Sequence, residues 1–170
     1  MLRNRYTTAG EGRFAVLDAE TVELLHSGCA LVVGAATPDG EPYAARAWGL
    51  ELLGGGERGR LLLDADDARA RELLGPGAQI AVTGVDVPTL RGVQLKGTTV
   101  GFEPVSTADP ARFERYTEEF IDDVVRTEGT PRHLLERLVP VELTVCVFDV
   151  AEHFDQTPGP SAGASLGALR

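Results

Sequence analysis

Basic charge and sulfur are what this sequence has least of. Its 170 residues include one lysine, one tryptophan, one methionine and two cysteines, and 26 acidic against 16 basic residues give a formal net charge of −10. That balance opposes binding to a phosphate backbone unless the basic residues cluster, and no run of Lys or Arg does so. A nucleic-acid partner is not expected. No apolar run approaches the ~20 residues needed to cross a bilayer. The polar start, Met1-Leu2-Arg3-Asn4-Arg5-Tyr6-Thr7-Thr8, lacks the apolar stretch of a secretory signal. The expectation is a cytoplasmic protein with no membrane partner. Cys29 and Cys146 each sit in apolar, strand-like sequence, and no second cysteine lies at ligand spacing from either. Both read as buried thiols, and no metal site is expected. Nucleophilic catalysis finds little support, since Ser27 reads as a helix-end cap. The pairs Asp66-Asp67, Glu118-Glu119 and Asp122-Asp123 read as helix caps and exposed helix faces, not as the paired carboxylates of a hydrolase. With no intrinsic acid, base or nucleophile in evidence, redox or transfer chemistry would have to come from a bound cofactor.

What is present is a series of short strands punctuated by turns. The length suits one domain with a proper core. Asp18 is placed to cap a helix over Ala19 to His26 that ends at Ser27-Gly28. Cys29 to Ala36 and Pro42 to Leu53 then read as a hairpin about the turn Thr37-Pro38-Asp39-Gly40. Gly54-Gly55-Gly56 leads into a third strand over Arg60 to Asp64, so these glycines do not form a phosphate loop, which needs a helix to follow. Asp66 or Asp67 caps a helix from Ala68 to Leu74 that Gly75-Pro76-Gly77 terminates, and Gln79 to Val85 is a fourth strand. A fifth runs from Arg91 towards Phe102 and Val105, giving a five-stranded meander. The longest helix starts at Asp109-Pro110, with Asp109 as its cap, carries Phe113, Tyr116, Phe120 and Val124 at helical spacing, and ends near Glu128-Gly129. A short helix bearing Leu134, Leu135 and Leu138 stops before Pro140, and a last strand, Val141 to Val150, is dense enough in apolar residues to be covered on both faces. The expected organisation is an N-terminal extension over 1–14, a domain over 15–155 and a Gly/Pro-rich tail over 156–170 with too little apolar content for an element of its own. The expected fold is mainly β: a six-stranded antiparallel split barrel with short flanking helices.

The fifth strand is the odd one, because Arg91, Gln94 and Lys96 interrupt a β-like run. Alternation puts Arg91, Val93, Leu95 and Gly97 on one face and Gly92, Gln94, Lys96 and Thr98 on the other. A strand face carrying Gln and Lys borders either solvent or a polar ligand. Arg46 and Trp48 share a face of the second strand, and Arg69 and Arg71 lie in the first turn of the helix after the third. Arginine forks match phosphate oxygens and tryptophan offers a flat surface to a ring, although Arg69 and Arg71 also balance Asp64, Asp66, Asp67 and Glu72, and Trp48 also suits a core.

Over roughly residues 15–155 the chain resembles the pyridoxamine 5′-phosphate oxidase-like proteins, the split β-barrels that bind flavin mononucleotide (FMN). The resemblance rests on Thr37-Pro38-Asp39-Gly40-Glu41-Pro42, Arg46-Ala47-Trp48, Asp67-Ala68-Arg69-Ala70-Arg71-Glu72-Leu73 and Arg91-Gly92-Val93-Gln94-Leu95-Lys96-Gly97, in that order. The closing Phe154-Asp155-Gln156-Thr157-Pro158-Gly159-Pro160 looks like a subgroup of small bacterial members. It implies a homodimer with the cofactor at its interface and oxidoreductase chemistry on a small molecule. Phosphate contacts would fall to Arg46, Arg69 and Arg71, ring contacts to Trp48, Gln94 and Lys96, and further cofactor contacts to Asp64 and Arg91. Gly92 stands where the family pattern has a flavin-contacting glutamine, which Gln94 or Lys96 would replace. The alternatives are the deazaflavin F420 as cofactor of a reductase, or a non-catalytic carrier or sensor of haem or flavin.

Overall fold

The computed structural model describes residues 17–168, so the expected extension over 1–14 lies outside it. The strands are β1 (Ala30–Ala36), β2 (Pro42–Leu53), β3 (Arg58–Asp64), β4 (Gln79–Val85), β5 (Gly92–Glu103), β6 (Leu143–Asp155) and β7 (Ser165–Ala168), and the helices are α1 (Ala19–His26), α2 (Ala68–Leu73), α3 (Asp109–Glu128) and α4 (Arg132–Leu135). The strand order is β3-β2-β1-β4-β5-β6-β7, and β3 also pairs with β6. That pairing closes six antiparallel strands into a barrel, as the sequence led one to expect.

Two expectations about the strands are corrected. The barrel is not a meander, because β4 pairs with β1 (Val32 opposite Thr83) and not with β3. Short turns between β1, β2 and β3 suggest a meander, but closing the barrel needs the edge of β1 for β4. The tail also builds an element. Gly163 N–H donates to Asp155 O and the chain folds back, so that β7 pairs with the end of β6 across Glu152–Phe154. Main-chain pairing on an available edge supplies what its few apolar side chains do not.

Alternation along the strands sorts the barrel. Leu31, Val33, Val82, Val93 and Leu95 point inward and are buried. Val32, Thr83, Gln94 and Lys96 point outward. Leu61, Leu62 and Leu63 of β3, and Val145 to Phe148 of β6, are buried without a break, so both faces of these strands are covered. Both cysteines are buried, as expected. The three longest strands bend to close the barrel. In β2 the register against β3 shifts between Ala47 and Leu50, and Gly49 takes φ 140° there, a conformation open to glycine at little cost.

α3 lies across the outside of β2 and sets the shape of the candidate site. Its far end stops at Gly129, which takes φ 70°. Its start differs from the expectation. Asp109 is not the cap but the first helical residue, preceded by Ala108, and its carboxylate turns inward to a salt-bridge cluster. Arg60 donates Nη1 to Oδ1 at 3.1 Å and Nη2 to Oδ2 at 3.0 Å, Arg112 joins from the next turn, and Glu51 holds both arginines. Farther along, the buried Tyr116 hydroxyl donates to Cys29 O at 2.7 Å and accepts from Leu31 N–H at 3.3 Å. α3 is thereby tied to β2, β3 and the start of β1.

Candidate functional site

On the outer face of the barrel, backbone register aligns side chains from five strands in rows. One row runs Arg46 (β2), Val32 (β1), Thr83 (β4), Gln94 (β5) and Phe154 (β6), each directly opposite the next. Directly paired residues project to the same side, so these five share one surface. From Arg46 to Gln94 the row crosses three strand spacings, about 14 Å. The next row runs Ala44, Gly34, Ala81, Lys96 and Glu152. Small side chains therefore floor the middle of this face, and polar or cationic ones rim it. Val32 at its centre is 42% exposed.

The rim has a definite geometry. Gln94 Nε2 donates to Thr83 Oγ1 at 2.9 Å, which fixes the amide at the edge of the floor. The Lys96 ammonium sits 4.4 Å from the centroid of the Phe154 ring. At the opposite end, the Arg46 guanidinium lies 3.8 Å from the Phe120 centroid and 5.2 Å from that of Trp48. Its Nε and Nη2 are buried and have no hydrogen-bond partner. An unpaired buried donor costs about 1–3 kcal/mol, more when charged, and stacking on a desolvated ring returns about 2.

The other expected site residues lie elsewhere. Trp48 is buried, packed edge-on against Phe113 of α3 with centroids 6.3 Å apart, and offers no open face to a ligand. Asp64, Arg69 and Arg71 form a second group at the β3–α2 corner. Asp64 accepts from Asp66 N–H at 2.9 Å, Arg69 pairs with Glu72 at 2.8 Å, and the Arg71 guanidinium lies 5.8 Å from the Phe102 centroid. The Asp67 carboxylate caps the start of α2 and also accepts the Tyr43 hydroxyl at 2.6 Å, a bond that pushes the tyrosine pKa up to about 12. A capped start with a carboxylate on it repels an added anion. Arg91 forms a third location, on the stretch between β4 and β5, paired with Glu20 at 3.3 Å. It lines a cavity of about 410 Å³ together with Glu20, Glu23, Leu24, Ser27, Asp86 and Thr89. Three carboxylates against one arginine make that cavity a poor home for a phosphate, and the outer face, although shallow, is the better candidate surface.

The residues that sequence reasoning missed are Val32, Thr83 and the α3 aromatics. Phe113, Tyr116 and Phe120 were legible as a stripe, but nothing local names Arg46 as what the stripe covers. Thr83 and Gln94 are brought together only by the β4–β5 register. For a flavin-type ligand the fit divides in two. The small-residue floor with the Gln94 amide and Lys96 suits a flat, hydrogen-bonding ring. The arginine that would take a phosphate is stacked beneath Phe120.

No family model matches the sequence, and no curated protein matches it either. Solved structures do resemble the fold. HupZ of Group A Streptococcus aligns with a TM-score of 0.53 at 17% identity, over 86% of this chain and 99% of that one. A provisionally assigned pyridoxamine 5′-phosphate oxidase of Lactobacillus delbrueckii aligns with a TM-score of 0.51 at 17% identity, over 81% of this chain and 93% of that one. At such identities the likeness is one of fold, and at that level the resemblance read from the sequence holds: the chain has the six-stranded split-barrel architecture of the pyridoxamine 5′-phosphate oxidase-like proteins.

Proposed function

We propose that this protein is a homodimeric, FMN-binding oxidoreductase of the split-barrel type, with the isoalloxazine ring seated on the outer face of β1, β2, β4, β5 and β6. The observation that carries this reading is the pair of register-aligned rows, with Ala44, Gly34 and Ala81 as a floor and Gln94 and Lys96 at its rim. A flat ring gains from a floor with no projecting side chains, and the Gln94 amide keeps hydrogen-bonding capacity to spare after its bond to Thr83. Lys96, the only lysine in the chain, would set a cation beside a ring seated here and so favour its negatively charged reduced form. Bound flavin would supply the redox chemistry, while the protein binds the ring, orients it and shields it from water. A second copy of the chain over this face completes the enclosure, because Val32 lies open there in one copy.

The test is a titration of the purified chain with riboflavin and with FMN, followed by quenching of flavin fluorescence, beside an absorption spectrum of the protein as isolated. A flavin spectrum, or saturable quenching that weakens in Gln94→Ala and Lys96→Ala, is expected. Colourless protein that quenches neither compound would refute the reading.

A further inference from the structure

We propose that Phe120 decides whether this site reads a ligand's terminal phosphate, because its ring occupies the place beside Arg46 that an anion would take. The inference rests on the flavin reading for the identity of the ligand but not for the anion site itself. Arg46 carries two buried guanidinium nitrogens, Nε and Nη2, with no partner. Thr117 Oγ1, on the helix above, is buried and unpartnered as well. Three of the four such atoms among the described residues thus belong to Arg46 or to α3, and the fourth is His153 Nδ1. Two guanidinium donors without an acceptor mark a place suited to an anion.

Phe120 keeps an anion out. Its ring stacks on the guanidinium at 3.8 Å and is itself 6% exposed. The ring is not a loose flap. α3 is held on one side of it by Asp109 with Arg60 and by Tyr116 with Cys29 O, and its backbone at Phe120 lies against Gly28, where an added Cβ would come within 2.4 Å of Phe120 N. In the native chain the cation therefore packs on aromatic faces beside the Tyr116 hydroxyl, and a ligand is recognised by its ring. Removing the phenyl group leaves space beside two unpaired donors and turns a ring-reading site into one that also reads phosphate.

The experiment measures dissociation constants for riboflavin, FMN and inorganic phosphate on the native chain, Phe120→Ala, Arg46→Gln and the double variant. The native chain is expected to bind riboflavin and FMN with similar affinity. Phe120→Ala is expected to favour FMN by about tenfold or more, as one charge-assisted hydrogen bond gives, and to bind inorganic phosphate. Adding Arg46→Gln should abolish both gains. A native chain that already prefers FMN about tenfold, with the preference lost in Arg46→Gln, overturns the proposal. So does an unchanged preference in Phe120→Ala. If no variant binds either flavin, the flavin reading fails alone and the phosphate arm decides. Phosphate held by Phe120→Ala and released by the double variant upholds the inference, and phosphate held by neither overturns it. Fluorescence of the single Trp48, which packs on α3, reports whether the helix stays docked. If Phe120→Ala undocks it, Phe120→Leu, which keeps apolar contact without the ring, takes its place under the same criteria.

Discussion

Asp109 shows what one misplaced-looking charge does for this molecule. It is fully buried, yet accepts from both Arg60 nitrogens and from Ser106 N–H at 2.7 Å, so each carboxylate oxygen is engaged. Burial alone would raise its pKa, but the Arg60 and Ser106 hydrogen bonds outweigh this and hold it below the usual 3.8. A carboxyl whose folded pKa is depressed adds stability above its unfolded value, and that stability is lost as the pH falls through the folded value. Asp109→Asn keeps the shape, removes the charge and leaves Arg60 and Arg112 short of an acceptor. It should cost about 3 kcal/mol at neutral pH, the low end for a broken buried pair, because Glu51 still holds both arginines. Urea melts of the two proteins at pH 7 should differ by that amount, and the gap should narrow below about pH 4 as the native carboxyl takes up its proton. An undiminished gap in acid would show that shape, not charge, is what Asp109 provides.

The element that matters most is α3, and its docking hangs on a residue outside it. Gly28 leaves no room for a side chain: a Cβ there would come within 2.4 Å of Phe120 N and 2.5 Å of Glu119 Cβ. Gly28→Ala must push the helix off the barrel, at a cost of about 1–3 kcal/mol for an overpacked contact. Because Trp48 is the only tryptophan and sits against Phe113, its emission should shift towards that of exposed indole in this variant. An unchanged spectrum and melting curve would mean that the helix has slack. The contrast between α3's ends and its resting place shows which parts of the fold were legible. Pro110 and Gly129 bound the helix locally, and the alternation of Gln94 and Lys96 with Val93 and Leu95 assigns the faces of β5, because both signals reside in consecutive residues. The β1–β4 pairing and the Arg46–Phe120 stack join residues 47 or more positions apart, and no local pattern encodes them. Arg69 and Arg71 illustrate a third case. Their residue type suits phosphate, but Glu72 and Phe102 engage them first.

At the scale of the whole molecule, closure of the barrel limits how the proposed second copy could attach. Strands β1 to β6 pair on both sides, so their edges are consumed, and β7 is a four-residue edge. Association by strand addition is thereby limited, and a broad contact must use a face. The outer side of β2 from Arg46 to Glu51 is taken by α3, whereas Ala44 and the side of β1, β4 and β5 with Val32, Gly34 and Ala81 have little projecting from them. A standard interface needs about 800 Å² from each partner, which a patch spanning several strands can provide. The net charge of −10 opposes two copies meeting, so association should strengthen with salt until the repulsion is screened. Val32→Glu tests this arrangement without touching the barrel interior, because the side chain points outward. A dimer built on this face would bring extra carboxylates into its contact and should fall to monomers in sedimentation equilibrium, while the monomer keeps its fold by circular dichroism. Under the proposed function flavin affinity should drop with it, since the ring would lose the wall that a second copy would supply. A native chain that sediments as a monomer yet binds flavin would make the outer face a one-sided site, and a Val32→Glu dimer as tight as the native one would place the contact elsewhere.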